Sequence, residues 1–431
     1  MKSQRASLLR IELLRLLTIA ALLLTFAPGN GASARTIYSF CPNFDCTTGS
    51  GARGSLLAGP KNSLYGVGYF GGANGGGVAF MLQRHGRSWT YQVLYDFCAA
   101  KKCTDGSVPS TPLIADAAGN LYGATQAGGA NDGGAFFELS PPAEGETAWT
   151  ETVLYSFCAR AACADGKQPI YRLTYAGAAA GAPYDGVSPV YGVTIDGGND
   201  PAGGVIYRLS PRKGGWLEKV LYAFCAGAGC GNGSAPSGGP TLDPAGNLYG
   251  VTFYGGASNY GVIYELAGSN YEVVHDFCEG CSEGGEPTGQ LAIDAAGNLF
   301  GGAQVGGLCS AECGTLFKFA PSGAQYSVLY EFCRLRNCRD GMTPFGDLTM
   351  DASGNIYGAT ATRGGRCDGY DGEGAVYELS GSTYTRLHAF CRFGDGEFPN
   401  PGLTLDASGK LFGTTQQGGN YGSGTIFEIS P

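Results

Sequence analysis

The sequence predicts an all-β fold, a seven-bladed β-propeller of four-stranded antiparallel blades. Three observations carry this. A glycine-centred phrase recurs seven times, with its core beginning at Leu64, Leu121, Val190, Leu248, Leu299, Ile356 and Leu411. A second phrase alternates with it: "TIYSFC" at 36, "VLYDFC" at 93, "VLYSFC" at 153, "VLYAFC" at 220, "VVHDFC" at 273, "VLYEFC" at 328 and "RLHAFC" at 386. The cysteines of this phrase are 53 to 67 residues apart, a spacing that marks a repeat architecture. Finally, no stretch after the leader sustains a 3.6-residue apolar period, so helices are expected to be nearly absent.

Each unit holds four runs of strand length. In the second these are "PLIAD" (112–116), "LYGATQ" (121–126), "AFFEL" (135–139) and "TVLYSF" (152–157). They are rich in β-branched and aromatic residues. "DAAGN" (116–120) has Asp and Gly where a tight hairpin needs them. "AGGANDGG" (127–134) supplies positive-φ glycines for a wider loop. The third unit departs from this plan, with "YAGAAAGAPYDGVSPVYG" (175–192) in place of the tight hairpin.

The ends support a closed ring. The chain after its leader starts with a fourth strand and stops at Pro431, after the third strand of the last unit. The N-terminal strand is therefore expected to close the last blade and remove an open edge. Within each unit, the central glycine (Gly66, Gly123, Gly192, Gly250, Gly301, Gly358, Gly413) is expected where neighbouring sheets converge, with close backbone approach. The third-strand aromatic (Phe80, Phe137, Tyr207, Tyr264, Phe317, Tyr377, Phe427) is expected to fill the wider space between sheets.

Residues 1–34 read as a secretory signal peptide. Lys2, Arg5, Arg10 and Arg15 lie ahead of or inside an apolar run, Leu16 to Ala27, that ends near the A-x-A site Ala32-Ser33-Ala34. Residues 35–431 then form one domain, secreted to the periplasm or the exterior, monomeric and without a membrane span. The net charge of −9 becomes −12 once those four basic residues and Glu12 are removed. An acidic chain with no basic cluster argues against nucleic acid and anionic membrane surfaces. Glycine accounts for 75 of 431 residues without a G-X-Y period, which excludes collagen.

"LDPAGNLYGVTFYGGASNYGVIYEL" (242–266), followed by the "VLYxF" strand, resembles the GloVer tandem repeat of bacterial choice-of-anchor proteins. The likeness covers residues 36–431. It implies an exported bacterial repeat protein and no particular activity. A C-terminal sorting or anchoring segment is the habit of that family, and none follows the last predicted strand here.

Sixteen cysteines in an exported chain point to disulfides. Five pairs are C-x4-C: Cys41/Cys46, Cys98/Cys103, Cys158/Cys163, Cys225/Cys230 and Cys333/Cys338. Zinc would need four converging ligands, and a ring holds each pair on its own blade. Each short loop is worth roughly 2 kcal/mol by chain entropy. Cys278/Cys281 is a shortened version of the same staple, since a redox C-x-x-C belongs at a helix N-terminus. Cys309/Cys313 is expected to pair locally. This leaves Cys367 with Cys391.

A binding surface is expected on the face that carries the loops between second and third strands together with the loops between blades. Tyr69, Phe70, Tyr254, Tyr260, Tyr370 and Tyr421 lie there, aromatic side chains suited to stacking on sugars or peptides. Asp105, Asp165, Asp340 and Asp395 recur before glycine and are expected to bond their own turns. Asp368, Asp371 and Glu373 form the densest acidic cluster. It does not fit an EF-hand loop, and calcium is the only ion suggested for it; no cofactor is otherwise expected. His275 and His388 replace the Tyr of "LYxF" as packing residues, and His85 lies in a turn. No G-x-S-x-G, H-E-x-x-H or paired-carboxylate motif stands out. The leading reading is a binding or interaction module for an extracellular glycan or envelope component. The alternative is a secreted polysaccharide hydrolase or lyase with an axial site, which would show as a non-repeating polar cluster at the axis.

Overall fold

The computed structural model describes residues 32–431 apart from 43, 226, 228, 279–281, 310–311, 368–369 and 392–393. The chain forms seven antiparallel sheets arranged as the blades of a propeller, plus one small hairpin, Arg366–Cys367 with Tyr370–Asp371. Among the described residues there is no α-helix, only short 3-10 turns. In the second blade the outer strand is Thr150–Ser156, preceded inward by Ala135–Ser140 and Leu121–Ala127. Its inner strand begins earlier than "PLIAD" and is broken: Ser107–Pro109 and Ile114–Ala115 both pair with Leu121–Ala127. Val108, just before Pro109, has φ 61°, and its N–H leaves the blade.

That N–H bridges to the neighbouring blade. Val108 donates to Gly76 O at 2.7 Å, Gln168 to Gly133 O at 2.7 Å, Ala235 to Gly203 O at 3.2 Å and Glu286 to Tyr260 O at 2.8 Å. Thr343 does the same to Cys313 O at 3.2 Å and Phe398 to Glu373 O at 2.9 Å. The seventh bond crosses the closure, from Gly51 N to Ser423 O at 3.1 Å. Each proline also packs on the blade before it: a Cβ on Gly134 would lie 2.6 Å from Pro169 Cδ. The phenylalanine of "LYxF" makes a second repeated link. Phe157 donates its N–H to Gly134 O at 2.9 Å, and Phe40, Phe97, Phe157, Phe224, Phe277, Phe332 and Phe390 are all fully buried.

The central glycines serve a different contact from the one expected. Each pairs directly across the second and third strands with the aromatic of its own blade: Gly66 with Phe80, Gly123 with Phe137, Gly192 with Tyr207 and Gly250 with Tyr264. Gly301 with Phe317, Gly358 with Tyr377 and Gly413 with Phe427 complete the set. A Cβ on Gly123 would sit 2.7 Å from Phe137 Cζ, and on Gly66 2.5 Å from Phe80 Cζ. The ring lies over the missing side chain, so the glycine accommodates an aromatic within the blade and not a neighbouring backbone.

The ring closes as expected. Ser33–Ser39 pairs with Thr425–Ser430 from Ser33↔Ser430 to Ser39↔Thr425, as the outer strand of the last blade. Asn400 Nδ2 donates to Ala52 O at 2.6 Å across the same junction. Of the expected signal peptide, residues 1–34, residues 1–31 lie outside the described residues, while Ser33 and Ala34 belong to the closing strand and pair with Ser430 and Ile429. Among the described residues no helix is long and apolar enough to cross a membrane.

The tight hairpins are built by their aspartates. Asp116 Oδ1 accepts the N–H of Ala118 and of Asn120, each at 2.9 Å, and Gly119 takes φ 89°. In the third unit the long loop docks on the blade before it. Tyr184 is 1% exposed, its N–H donates to Ala115 O at 3.0 Å, and its hydroxyl donates to Ser188 O at 2.6 Å.

Candidate functional site

One face of the ring carries the loops between second and third strands and those between blades, as expected, and the two sets are bonded together. Gly129 donates its N–H to Cys103 O at 3.0 Å, Gly198 to Cys163 O at 3.0 Å and Gly256 to Cys230 O at 3.1 Å. Disulfides join Cys41–Cys46, Cys98–Cys103, Cys158–Cys163, Cys225–Cys230, Cys309–Cys313 and Cys333–Cys338. Cys278 and Cys391 are also disulfide-bonded. Cys281 and the Cys367 side chain, their expected partners, lie outside the described residues.

The recurring aspartates hold these loops from within. Asp105 accepts the N–H of Ala99 at 2.8 Å and of Ala100 at 3.1 Å, and the Tyr95 hydroxyl at 2.9 Å. Asp165 does the same for Ala159, Arg160 and Tyr155, and Asp340 for Arg334, Leu335 and Tyr330. The tyrosine is the one in "LYxF". Where histidine replaces it, His388 Nε2 meets Asp395 Oδ2 at 2.9 Å, so this histidine takes over the link as well as the packing. These carboxylates are committed to their own loops. In the cluster suggested for calcium, Asp368 and the Asp371 side chain lie outside the described residues, and the Glu373 N–H donates to Phe390 O.

The axis of the ring holds two cavities. The upper, about 270 Å³, opens toward the loop face. Its wall is a ring of residues directly after the inner-strand proline or its equivalent: Arg53, Ser110, Ile170, Ser237, Thr288, Phe345 and Asn400. Phe253, Gln304 and Gln416 complete it from the ends of second strands. The lower cavity, about 710 Å³, is flanked by the long third-unit loop through Ala178, Ala179 and Pro183. Between them lie Pro112 and Asp347, which line both. The channel is tight here, for a Cβ on Gly402 would lie 2.9 Å from Ser55 Cβ.

A non-repeating polar cluster occupies this level. Arg172 donates to Ser55 Oγ. Asp347, 8% exposed, accepts the Gln290 N–H. Burial raises the Asp347 carboxyl above its ordinary range, and Arg172 and the Gln290 N–H pull it partly back. Burial also pushes the Tyr171 hydroxyl up to about 12, with Asp347 adding to the rise and Arg53 opposing it.

The six aromatic candidates do not form one site. Tyr69 belongs to the upper mouth: its ring lies beneath the Arg53 guanidinium, 4.3 Å from centroid to Cζ, and its hydroxyl meets Gln126 Oε1. Phe70 and Tyr254, 55% and 47% exposed, sit one residue beyond the mouth position, edge-on to Tyr69 and Phe253. Tyr260 is half-buried and packs on the core of blades four and five. Tyr421 lies edge-on to Phe44 at 5.3 Å. The Tyr370 side chain lies outside the described residues. Sequence reasoning passed over Arg53, Gln126, Arg172, Phe253, Gln304, Asp347 and Gln416. The signal was present in aligned columns: three residues past the central glycine the repeats read Tyr69, Gln126, Ile195, Phe253, Gln304, Ala361 and Gln416. A column that varies while its neighbours repeat is free of the packing rule.

No curated protein matches the chain. Among solved structures it is similar to the extracellular domain of a one-component system from B. thetaiotaomicron, with TM-score 0.52 and 10% identity, covering 91% of this chain and 39% of that one. It is also similar to the β-propeller domain of Cps50 (Swd1) from Myceliophteria thermophila, with TM-score 0.51 and 11% identity, covering 92% and 99%. Identities this low speak for the fold alone. The seven-fold phrase itself is matched over residues 26–188 and 182–427 by the Gloeobacter/Verrucomicrobia repeat, and the chain belongs to that family.

Proposed function

We propose that the protein is an exported binding module that takes a glycan at the upper axial mouth. The observation that carries this is the mouth itself. Aromatic rings (Phe253, Phe345) and amides (Gln304, Gln416) line a cavity of about 270 Å³, with Tyr69 beside it under the Arg53 guanidinium. Sugar rings offer apolar C–H faces for stacking and hydroxyls that both donate and accept, and amides answer the hydroxyls with one group of each kind. The blade scaffold keeps these groups in place, which limits the ordering cost of binding. The disulfides fit an exported chain, and one of the similar folds is itself an extracellular domain.

The non-repeating polar cluster at the axis is the feature expected of the enzymatic alternative, but its acids do not form a catalytic pair. Hydrolysis by paired carboxylates needs two acids flanking one bond. Asp347 is an axial acid, but the other carboxylate lining its cavity, Asp116, is committed to its hairpin.

Calorimetric titration of the disulfide-intact chain against bacterial and plant cell-wall oligosaccharides tests the proposal. At least one should bind, and Phe253→Ala or Gln304→Ala should weaken it about tenfold, roughly 1.4 kcal/mol. Tyr421→Ala, away from the mouth, should leave binding unchanged. Absence of binding across the panel, or binding indifferent to both mouth variants, would refute it.

A further inference from the structure

Two arginines break the pattern of the inner strands. At the position after the inner proline, Ser110 donates to Pro169 O at 2.9 Å, Ser237 to Pro287 O at 2.5 Å and Asn400 to Ala52 O at 2.6 Å, each binding the next blade. Arg53 holds that position in the first blade and makes no ion pair among the described residues. It is exposed and lies flat over Tyr69. One face of the guanidinium is covered by the ring, while the N–H edge of its planar fork remains available. Two positions further along the third inner strand, Arg172 supplies a second cation at the level dividing the two cavities. Asp347 is the carboxylate at this level and already accepts the Gln290 N–H, while Asp116 lines the lower cavity and is committed to its hairpin. The chain as a whole has 36 acidic and 27 basic residues, so an exposed arginine at the mouth, with no ion pair among the described residues, runs against its composition.

We infer that the ligand at the upper mouth carries a carboxylate received by Arg53, so that the glycan is an acidic one built from uronic-acid-type sugars. This rests on the glycan reading above. A planar fork meets a carboxylate with two parallel hydrogen bonds. Tyr69 beneath it holds the fork in place, and Phe253, Gln304 and Gln416 remain for the sugar rings. Arg172 does not touch the ligand in this arrangement; it offsets the charge of Asp347 below the mouth.

Acid and methyl-ester forms of the same oligouronates, titrated against the whole disulfide-intact chain, separate the two claims. The acid should bind at least about tenfold tighter than its ester, and the difference should shrink as salt rises from 50 to 500 mM. Arg53→Gln should abolish the difference between acid and ester, and Arg53→Lys should restore part of it. Arg53 is exposed, so equal melting temperatures will show the variants to be folded. Equal binding of acid and ester, or a preference that survives Arg53→Gln, overturns the inference and leaves the glycan reading standing. Failure of both forms alongside binding of neutral sugars does the same. Failure of every sugar removes both. A simple monocarboxylate that binds as tightly as the oligosaccharide overturns the saccharide assignment.

Discussion

The repeated phrase is a set of contacts in which small changes have large consequences. Gly123→Ala would place a methyl 2.7 Å from Phe137 Cζ, in a blade with no spare room. It should destabilise by about 1–3 kcal/mol, the usual range for overpacking. Adding Phe137→Leu should recover part of the loss, and a double-mutant cycle read by denaturant titration would reveal that coupling. Additive losses would mean that the ring is not what the glycine accommodates. A second residue-scale effect depends on pH. Two residues before the start of the "VLYxF" phrase or its equivalent in the outer strand, Tyr91, Tyr271, Tyr326 and Tyr384 donate their hydroxyls to the carbonyls of Thr48, Asn232, Glu283 and Asp340. Glu151 and Glu218 stand at the same position in blades two and three. Burial raises the Glu151 carboxyl from 4.5 to about 8, with Asp105 adding to it, and burial raises Glu218 to about 7 despite Arg160 at 2.7 Å. The folded chain therefore keeps a proton on Glu151 that the unfolded chain releases between about pH 4.5 and 8. Stability should fall as pH rises through that window. Glu151→Gln should flatten the dependence and gain on the order of 1 kcal/mol at pH 8, with little change at pH 4.5. Thermal melts across pH would check it; a variant whose melting tracks the wild type at every pH would rule this out.

At the scale of elements, the third-unit loop shows how length and order can part company. Its composition, rich in Ala, Gly and Pro, reads as a loose connection. The structure ties its second half down through Tyr184, whose ring lies edge-on to Tyr122 and Tyr175 at 5.2 Å each. The unanchored part is the tip around Ala178–Ala180, which is mostly exposed and has only a single 3-10 turn. Limited proteolysis of the folded chain should cut first at that tip, where backbone is exposed and small residues dominate. Tyr184→Ala should speed the cut several-fold by releasing the rest of the loop from the second blade. Mass spectrometry of the first fragments decides it: an initial cut in another blade would contradict this assignment of local stability. Because the same loop walls the lower cavity, its release should leave ligand binding at the upper mouth unaffected.

For the whole molecule, what was legible in the sequence was whatever repeats. Strand number, blade number and closure followed from columns such as Gly123 and Phe157, because every copy faces the same packing problem. The site was not legible, because it is defined by columns in which the copies differ. Arg53, Arg172 and Asp347 look like ordinary charged residues until the ring places them on one axis. The same ring rests on one junction that no local contact can replace. The N-terminal strand contributes Phe40, fully buried, and Tyr38, stacked on Tyr91 at 4.0 Å, and Phe40 donates its N–H to Gly424 O at 3.0 Å. Arg35 adds an ion pair to Glu428 at 2.8 Å, which together with Lys410 at 2.6 Å holds that carboxyl below its ordinary range. Deleting residues 35–41 would remove these contacts and one half of the Cys41–Cys46 disulfide. It would also leave Thr425–Ser430 as an open edge, able to pair with another chain. The truncated protein should melt at lower temperature and form aggregates on size-exclusion chromatography. A synthetic peptide of residues 32–42 added in trans should reduce both effects by re-forming the outer strand. A truncated chain that stays monomeric with unchanged melting would mean that the ring closes by the inner-strand bonds alone, from Gly51 to Ser423 and from Asn400 to Ala52.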